Sequence, residues 1–491
     1  MPKKKNIAII GAGLGGSLMA IFLAKRGHQV SLYERRPDMR FEKVERGRSI
    51  NMTLAARGVK ALEAAGVADL IMPTTIPLKG RMIHGVNGAL SFQPYGKDPH
   101  EVIYAVQRER LNSALINFAE SQHRVKCHFS RRCLGINKES GLIQLEDERS
   151  REQFSVEADL IVGADGTYST VLQDMQRGER ADYYKKYLDW GYKELTIPPN
   201  PNGGMPLEKH ALHVWPRCEC MLMAIPNNDE SLTATFTLPF DGTPSFSSLE
   251  TDADLLAFFE SRFRDALSLM PEIVGNYRQN PVAQFYTTGT SQWYYKDRIV
   301  LLGDACHTVA PFYGQGMNAA FEDCLTLDAC LGKYGDDLEG AFAEYQHIRK
   351  CNTDALADLS MQNFIELRDK VKSSFFVARK KVDIMFYRLF PKACVPIYSL
   401  ISHTTMPYAE AVERIKRRNR LQKFLGIDLL RSLLAAIFAF NNLFKRLFNL
   451  AEQPAETPSD QSSLRFIPFR RLLNYTVLRK TSRAKGGDGR P

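Results

Sequence analysis

Residues 303–323, GDACHTVAPFYGQGMNAAFED, hold the grouping with the clearest chemical purpose. A short apolar run at 299–302 reads as a buried strand that delivers Gly303-Asp304 into a loop. Pro311 and Gly314-x-Gly316 then open a helix-like segment over 317–331. This sets free backbone N–H groups and the Asp304 carboxylate at a helix N-terminus, a place that binds a polar, phosphate-bearing or electron-rich ligand. Taken alone, the stretch is better explained as a strand, a loop and a helix with a capping Asp. It does not stand alone. Residues 6–10 read as a strand, Gly11-x-Gly13-x-x-Gly16 as a tight turn, 17–26 as a helix, and 30–33 as a second strand ending at Glu34. Glycines at these spacings let the backbone approach a pyrophosphate, and an acid 23 residues past Gly11 is placed for ribose hydroxyls. These residues leave FAD and NAD both open. A third buried run, 159–162, leads into Gly163-Ala164-Asp165-Gly166 and a helix start at Ser169-Thr170.

Three strand-turn-helix elements so far apart imply one nucleotide domain assembled from separated segments. Between the second and third lies a β-rich insertion, with strand-type runs at 210–215, 221–226 and 232–238 that predict a mostly antiparallel sheet. Residues 79–83 and 90–93 flank Val86-Asn87-Gly88 as a hairpin, with Arg81 and Tyr95 on or beside it. Helices are expected over 54–65, 108–119, 252–264 and 341–372, the last containing Asn363. Asn51 or Ser49, in the run 46–51, either caps the helix at 54–65 or reaches a ligand. Pro391 and Pro396 break the helical pattern beside Tyr398.

A chain of 491 residues, 44% hydrophobic, exceeds one typical core and predicts two or three structural units. Its nine cysteines show no zinc-ligand or Cys-x-x-Cys spacing, so neither a metal site nor a disulfide framework is expected, and the compartment reads as reducing. Residues 411–491 hold 17 Lys and Arg against 6 Asp and Glu, a surplus larger than the net +10 of the whole chain. Basic character thus belongs to the tail, which argues against a nucleic-acid enzyme. Within it, 424–450 is rich in Phe and Leu but interrupted by charges, too broken for a spanning helix and suited to a membrane interface. The competing reading is a terminal helix packed on the catalytic core.

Taken in order, Gly11-x-Gly13-x-x-Gly16 with Glu34, Asp165-Gly166 and Gly303-Asp304 resemble the class A flavoprotein monooxygenases. The stretches GRSIN at 47–51, RMIH at 81–84, QPYG at 93–96, GYKELTIP at 191–198, LHVWPR at 212–217 and PFYGQGMNAAFEDC at 311–324 are similar to the kynurenine-hydroxylating branch of that family. The resemblance runs from about residue 6 to residue 408. It implies an α/β fold: a Rossmann-like FAD-binding domain of the p-hydroxybenzoate-hydroxylase type, an inserted mostly antiparallel β-sheet substrate domain, and a C-terminal helical segment. The expected boundaries are 1–180 and 291–340 for the FAD-binding domain, with the substrate hairpin 79–95 in its first part. The substrate domain takes 181–290, the helical segment over the pocket 341–410, and the membrane-associating tail 411–491.

The resemblance also implies site residues. FAD contacts fall at Gly11, Gly13, Gly16, Glu34, Arg35, Arg36, Thr53, Arg108, Cys133, Asp165, Thr170, Gly303, Asp304, Gly316, Met317 and Asn318. Substrate contacts fall at Arg81, Tyr95, Asn363 and Tyr398. Thr53, Cys133 and the Ser402-His403 pair differ from the residues usual in the family. The implied cofactor is non-covalent FAD, with NADPH, O2 and L-kynurenine as substrates, no metal and no nucleic acid. The implied reaction places oxygen on the aromatic ring ortho to the amino group and needs no catalytic base, because the aniline nitrogen itself donates electrons. Arg81 is the choice for the substrate carboxylate, since a guanidinium grips it with two parallel hydrogen bonds. Asp304 is expected to accept from ribityl hydroxyls. The location implied is a membrane surface facing the cytosol: the mitochondrial outer membrane in a eukaryote, the cytoplasm or inner-membrane surface in a bacterium. The alternatives are a flavin hydroxylase of a lipid or quinone precursor and a non-catalytic protein on the same fold.

Overall fold

A computed structural model describes residues 3–42, 51–96, 98, 100–217, 219–366, 374–390 and 394–447. The run 46–50, Cys218, the last residues of the helix read at 341–372, and the tail segments at 451–463 and 465–480 lie outside the described residues. The fold starts from four short apolar runs that sequence separates widely. Strand Asn6–Ile10 pairs in parallel with Gln29–Tyr33 on one side and with Leu160–Gly163 on the other, and Leu160–Gly163 pairs in parallel with Ile299–Leu301. All residues of the last two strands are buried, as befits a parallel sheet covered on both faces. Lys126–His128 and the antiparallel Tyr294–Tyr295 complete the six-stranded sheet at its edges.

The register decides where the chemistry goes. Ile10 stands opposite Gly163, and Gly163 opposite Leu301. The turns after these residues therefore open side by side at one edge of the sheet, the carboxyl ends of the strands, where open α/β sheets bind their ligands. Two glycines make that approach possible. Gly11 has φ +104°, and a Cβ on it would lie 2.3 Å from the Ala164 carbonyl oxygen; one on Gly16 would lie 2.0 Å from the Gly11 carbonyl oxygen. The helix begins earlier than its sequence predicts, at Leu14, with the Ser17 amide donating to the Gly13 carbonyl at 2.9 Å. Close packing outweighs the poor helix propensity of Gly15 and Gly16 here.

The second layer is a seven-stranded sheet. Its order is Ala283–Thr290, Tyr183–Ile197, Leu232–Pro239, Met221–Pro226, Ala211–Pro216, Gly80–His84, Leu90–Pro94, antiparallel throughout except where Ala211–Pro216 meets Gly80–His84. The hairpin from the first third of the chain thus joins the later β-rich segment in one sheet, and Arg81 stands in register with Leu212. Phe236, Phe259 and Phe263 pack against one another beneath this sheet. Asn51 lies in strand Asn51–Leu54, while the following helix starts at Ala56 with Ala55 at its N-cap, so Asn51 does not cap that helix. Instead its amide donates to the Asn227 side chain of the substrate sheet.

Helix Leu338–Ile365 is capped by Asp337, whose carboxylate accepts from the Gly340 amide at 2.9 Å. Helix Tyr408–Phe424 lies on it through the buried Tyr408 and Ala411, so packing continues past residue 410. The chain divides into a compact unit, Met1–Ala439, and a second, Phe440–Pro491, nearly all of which is outside the described residues.

A buried ionic cluster ties these pieces together. Arg349 Nε donates to Asp323 Oδ1 at 2.7 Å and Arg349 Nη1 to Glu322 Oε2 at 2.5 Å, while Arg57 Nη1 donates to Glu322 Oε1 at 2.8 Å. Asp323 Oδ2 lies 2.6 Å from His307 Nε2 and accepts from the Gly303 amide at 3.2 Å. Burial alone would raise the Asp323 carboxyl, but the His307 ring and the Arg349 guanidinium outweigh it and hold it below the usual carboxylate range. Its contribution to stability is therefore complete above the ordinary value of about 3.9 and is lost as pH falls through the depressed folded value. Arg349→Met would strand the Asp323 charge at a cost of about 3–5 kcal/mol. The expected result is a clearly lowered melting temperature at neutral pH and a smaller gap between variant and parent in acid, measured by thermal unfolding across pH.

Candidate flavin and substrate site

The turns at the sheet edge and the inner face of the seven-stranded sheet line one cavity of about 1260 Å³, to which Arg418 and Arg431 of the C-terminal helices also contribute. Pockets for single ligands run to about 1,000 Å³, so this one suits a dinucleotide together with a small substrate. One wall is the glycine face, formed by Gly13, Gly16, Gly166, Gly303 and Gly316. A Cβ added to Gly13, Gly166 or Gly316 would meet nothing within 4 Å. At these three points bare backbone fronts open space, as close approach of a pyrophosphate and a planar ring system requires.

Asp304 follows Gly303 on this wall and is exposed, but to the cavity. Lying at such depth, its carboxyl is raised by burial, an effect the His307 ring and Arg108 guanidinium partly counter. A carboxylate in that setting gains by accepting hydroxyl donors. Thr53, Arg108 and Met317 also line the cavity. Thr53 Oγ1 donates to the Gly314 carbonyl at 3.4 Å, and the buried Asn318 braces this region through its side chain. Its amide donates to the carbonyls of Thr53 and Gly314 at 2.8 and 3.1 Å, and its oxygen accepts from the Ala55 amide at 2.8 Å.

The remaining expected flavin residues sit one layer back. Glu34 accepts from the Ala12 amide at 2.9 Å and the Arg36 amide at 3.0 Å, which fixes the glycine turn against the end of the second strand. Asp165 accepts from Ser169 Oγ at 2.5 Å and from the Thr170 amide at 2.7 Å, so its carboxylate is committed to the N-terminus of the helix Thr170–Gln176. Gly166 and Thr167 front the cavity in its place. Arg35, Arg36, Cys133 and Thr170 stand outside the lining. Burial and the nearby Asp165 push the Cys133 thiol up to about 12.

Arg81, Tyr95, Asn363 and Tyr398 line the same cavity as the glycines. The Tyr95 and Tyr398 rings stack at 5.1 Å, and the Arg81 guanidinium carbon lies 5.4 Å and 4.7 Å from their centroids. Burial and the Tyr398 hydroxyl push the Tyr95 phenol up, so it stays neutral at any physiological pH. Its buried hydroxyl lies beside the Arg81 guanidinium and the Tyr398 hydroxyl, which together form one polar group of the lining. Asn363 Nδ2 donates to the Phe312 carbonyl at 2.8 Å, which leaves the amide oxygen as an acceptor. His403 packs edge-on against Tyr398 at 6.5 Å, so the unusual Ser402-His403 pair backs a substrate-wall ring.

Sequence reasoning missed the aromatic chain at the flank. Tyr192 stacks on Phe285 at 4.9 Å, Phe285 meets Phe312 at 5.0 Å, and Phe312 meets Phe364 at 4.8 Å. Their signal was present, since Tyr192 and Phe312 fall inside the motif stretches, but nothing local marks such rings as cavity wall and not core.

Comparison with known proteins gives the family. The FAD binding domain family profile matches residues 4–358. Kynurenine 3-monooxygenase of Salinispora arenicola is 44% identical over 428 residues, covering 87% of this chain and 94% of the relative. The Dictyostelium discoideum protein of the same name is 41% identical over 419 residues, covering 83% and 90%. The crystal structure of Pseudomonas aeruginosa PqsL, in complex with 2-aminobenzoylacetate, superposes with a TM-score of 0.60 at 20% identity over 75% of this chain and 97% of that one, a likeness of fold alone. With the glycine face and the Arg81 group in one cavity, the chain belongs to the kynurenine 3-monooxygenase family of FAD-dependent aromatic monooxygenases, on the p-hydroxybenzoate-hydroxylase fold.

Proposed function

We infer that this protein hydroxylates L-kynurenine to 3-hydroxy-L-kynurenine with FAD, NADPH and O2. The observation that carries the reading is the pairing, in one cavity, of a glycine-and-aspartate face with the Arg81, Tyr95 and Tyr398 wall. When bound, FAD supplies the oxygen-transferring chemistry, after reduction by NADPH and with O2 as oxidant. Gly13, Gly16 and Gly316 would give it backbone contact, Asp304 would accept from its hydroxyls, and Thr53, Arg108 and Met317 would border it. A hydroxylase of a lipid or quinone precursor is disfavoured by a wall built around one buried guanidinium and two phenols, which suits a short zwitterionic substrate.

In this reading Arg81 takes the substrate carboxylate, and the neighbouring Tyr95 hydroxyl donates to it. Asn363 offers its amide oxygen to an amino N–H, and Tyr398 flanks the Arg81 guanidinium, keeping its plane fixed. None of these side chains needs to move a proton. Their tasks are to hold the ring in line and, with the Tyr192, Phe285 and Phe312 rings, to keep water out.

For the tail, no helix among the described residues is long and apolar enough to cross a membrane. Phe424 is 87% exposed, and Leu429, Leu433 and Ile437 stand exposed on the helix Ile427–Leu447. An amphipathic helix with an open apolar face and basic neighbours supports the reading of surface attachment; the cytosolic side is what the family resemblance implies.

Three outcomes are expected. Asp304→Ala removes a charge-assisted contact of about 1.5–3 kcal/mol, and Gly13→Val fills the cradle, so both should purify folded with reduced flavin content by absorbance. Arg81→Met should keep its flavin spectrum and lose about 30- to 5,000-fold in kynurenine affinity; unchanged affinity would move the carboxylate contact elsewhere. Full-length protein should sediment with anionic vesicles at low salt and be released as salt rises; failure to sediment would leave the exposed helix face without a membrane role.

A further inference from the structure

The cavity carries a second pair of guanidiniums that the proposed reaction does not use. Beyond Tyr398 its lining takes in Ile397, Cys394, Arg418 on the helix Tyr408–Phe424, and Arg431 on the helix Ile427–Leu447. Arg431 is 6% exposed. Its Nη1 donates to Gln422 Oε1 at 2.8 Å and its Nη2 to Cys394 Sγ at 3.2 Å, neither of them a carboxylate. Arg418 donates to the Val395 carbonyl. The Nε atoms of both arginines are buried without a hydrogen-bond partner.

Charge does not balance here. Among the described residues the acid beside the pair is Asp383, whose Oδ1 lies 3.6 Å from Arg431 Nη1, too far for a hydrogen bond. That Oδ1 is itself buried without a hydrogen-bond partner. Asp428, on the same lining, is taken by Arg379. Two guanidiniums therefore share one acid, and burial together with the like charges of Arg431 and Arg414 lowers the Arg418 guanidinium from its ordinary value. A buried cation short of counter-charge is costly, and an anionic ligand group removes that cost.

Position and complementarity name the ligand. Arg431 shares a helix face with the buried Ala435, while Leu429, Leu433 and Ile437 stand exposed on the other, so the pair belongs to the cavity and not to the apolar surface. The Phe386 ring stands 4.6 Å from the Arg431 guanidinium carbon and adds an aromatic side. A molecule here meets two guanidiniums for a carboxylate and, at Asp383, an acceptor for an ammonium. That set is the complement of an α-amino acid.

We propose that Arg418 and Arg431 form a second substrate subsite, which takes the carboxylate of kynurenine, with its ammonium on Asp383, before the molecule moves on to Arg81. The inference rests on the hydroxylase reading above and deepens it. Both subsites line one cavity, so a charged substrate meets paired charge at the start of its path as well as at the end. Neither arginine takes part in the chemistry: the pair governs capture.

The test counts kynurenine molecules bound to flavin-loaded, full-length protein by equilibrium dialysis, alongside steady-state hydroxylation. The parent is expected to bind two per chain, and Arg81→Met and Arg431→Met one each. Arg418→Met and Arg431→Met should raise KM for kynurenine about 10- to 100-fold at constant kcat, with flavin content as in the parent, and Arg431→Lys should restore part of the loss. Either a single kynurenine per parent chain or an unchanged KM in both methionine variants would overturn the proposal and leave the hydroxylase reading intact. Displacement of the second kynurenine by vesicles of phosphatidic acid, but not of phosphatidylcholine, would also overturn it, by assigning the pair to a lipid phosphate. Loss of flavin or of cooperative unfolding in both variants would do the same, as the mark of a structural pair. A parent protein that neither binds nor hydroxylates kynurenine would bring down the underlying reading as well.

Discussion

The site depends on a carboxylate that no solvent reaches. Asp323 ties Gly303, His307 and Arg349 together, and its neighbour Glu322 binds Arg349 and Arg57. These residues come from the third turn, the loop beyond it, the long helix Leu338–Ile365, and the helix Ala56–Ala65 of the first third of the chain. Breaking one arm leaves a buried charge uncompensated, so the cluster is costly to assemble wrongly and rigid once assembled. Above it, Gly303-Asp304 is held at a fixed height against the cavity, and the Arg57 guanidinium over the Tyr408 ring at 3.8 Å carries the same constraint to the C-terminal helices. Positioning within the site thus rests on charges set well outside it.

Division of labour follows from this arrangement. On the glycine wall the chain offers backbone and one carboxylate, because a cofactor with phosphates and many hydroxyls is best met by amides and an acceptor. Elsewhere on the lining it offers one guanidinium beside two stacked phenols, and in the reading proposed above a small charged substrate is gripped at that single point and then aligned. The hairpin Gly80–Pro94 pairs with strand Ala211–Pro216, more than 110 residues later, which is how an arginine from the first part of the chain comes to line the same cavity as the glycine turns.

Much of this was legible in the chain itself. The apolar runs before Gly11, Gly163 and Gly303 are strong signals because strand, glycine and acid come together, and each run becomes a strand of one sheet. The Asn-Gly hairpin at 87–88 was equally plain. What escaped was whatever depends on partners remote in sequence. Asn51, beside a helix start, pairs with Asn227 across 176 residues, so no local cap rule applies to it. Asp165, read toward a ligand, spends its oxygens on Ser169 and Thr170, a choice that spacing alone does not decide. The basic stretch after 410 begins as a packed helix because Tyr408 and Ala411 are buried, and although Arg414, Arg417 and Arg420 are exposed, Arg418 turns in to donate to the Val395 carbonyl.

The order of strands has a further consequence for how the molecule comes into being. Strands Asn6–Ile10 and Leu160–Gly163 sit at the middle of the six-stranded sheet, and Ile299–Leu301 closes its flank. During synthesis, Leu160–Gly163 must wait through more than 130 residues with an open parallel edge. The antiparallel sheet made in that interval is bonded largely to itself and is able to form first. The nascent chain therefore passes through a stage with a finished substrate sheet beside an unfinished cofactor sheet, the point in its biogenesis most exposed to aggregation. The cavity has no complete glycine face until the third turn, Gly303-Asp304, has joined the first two.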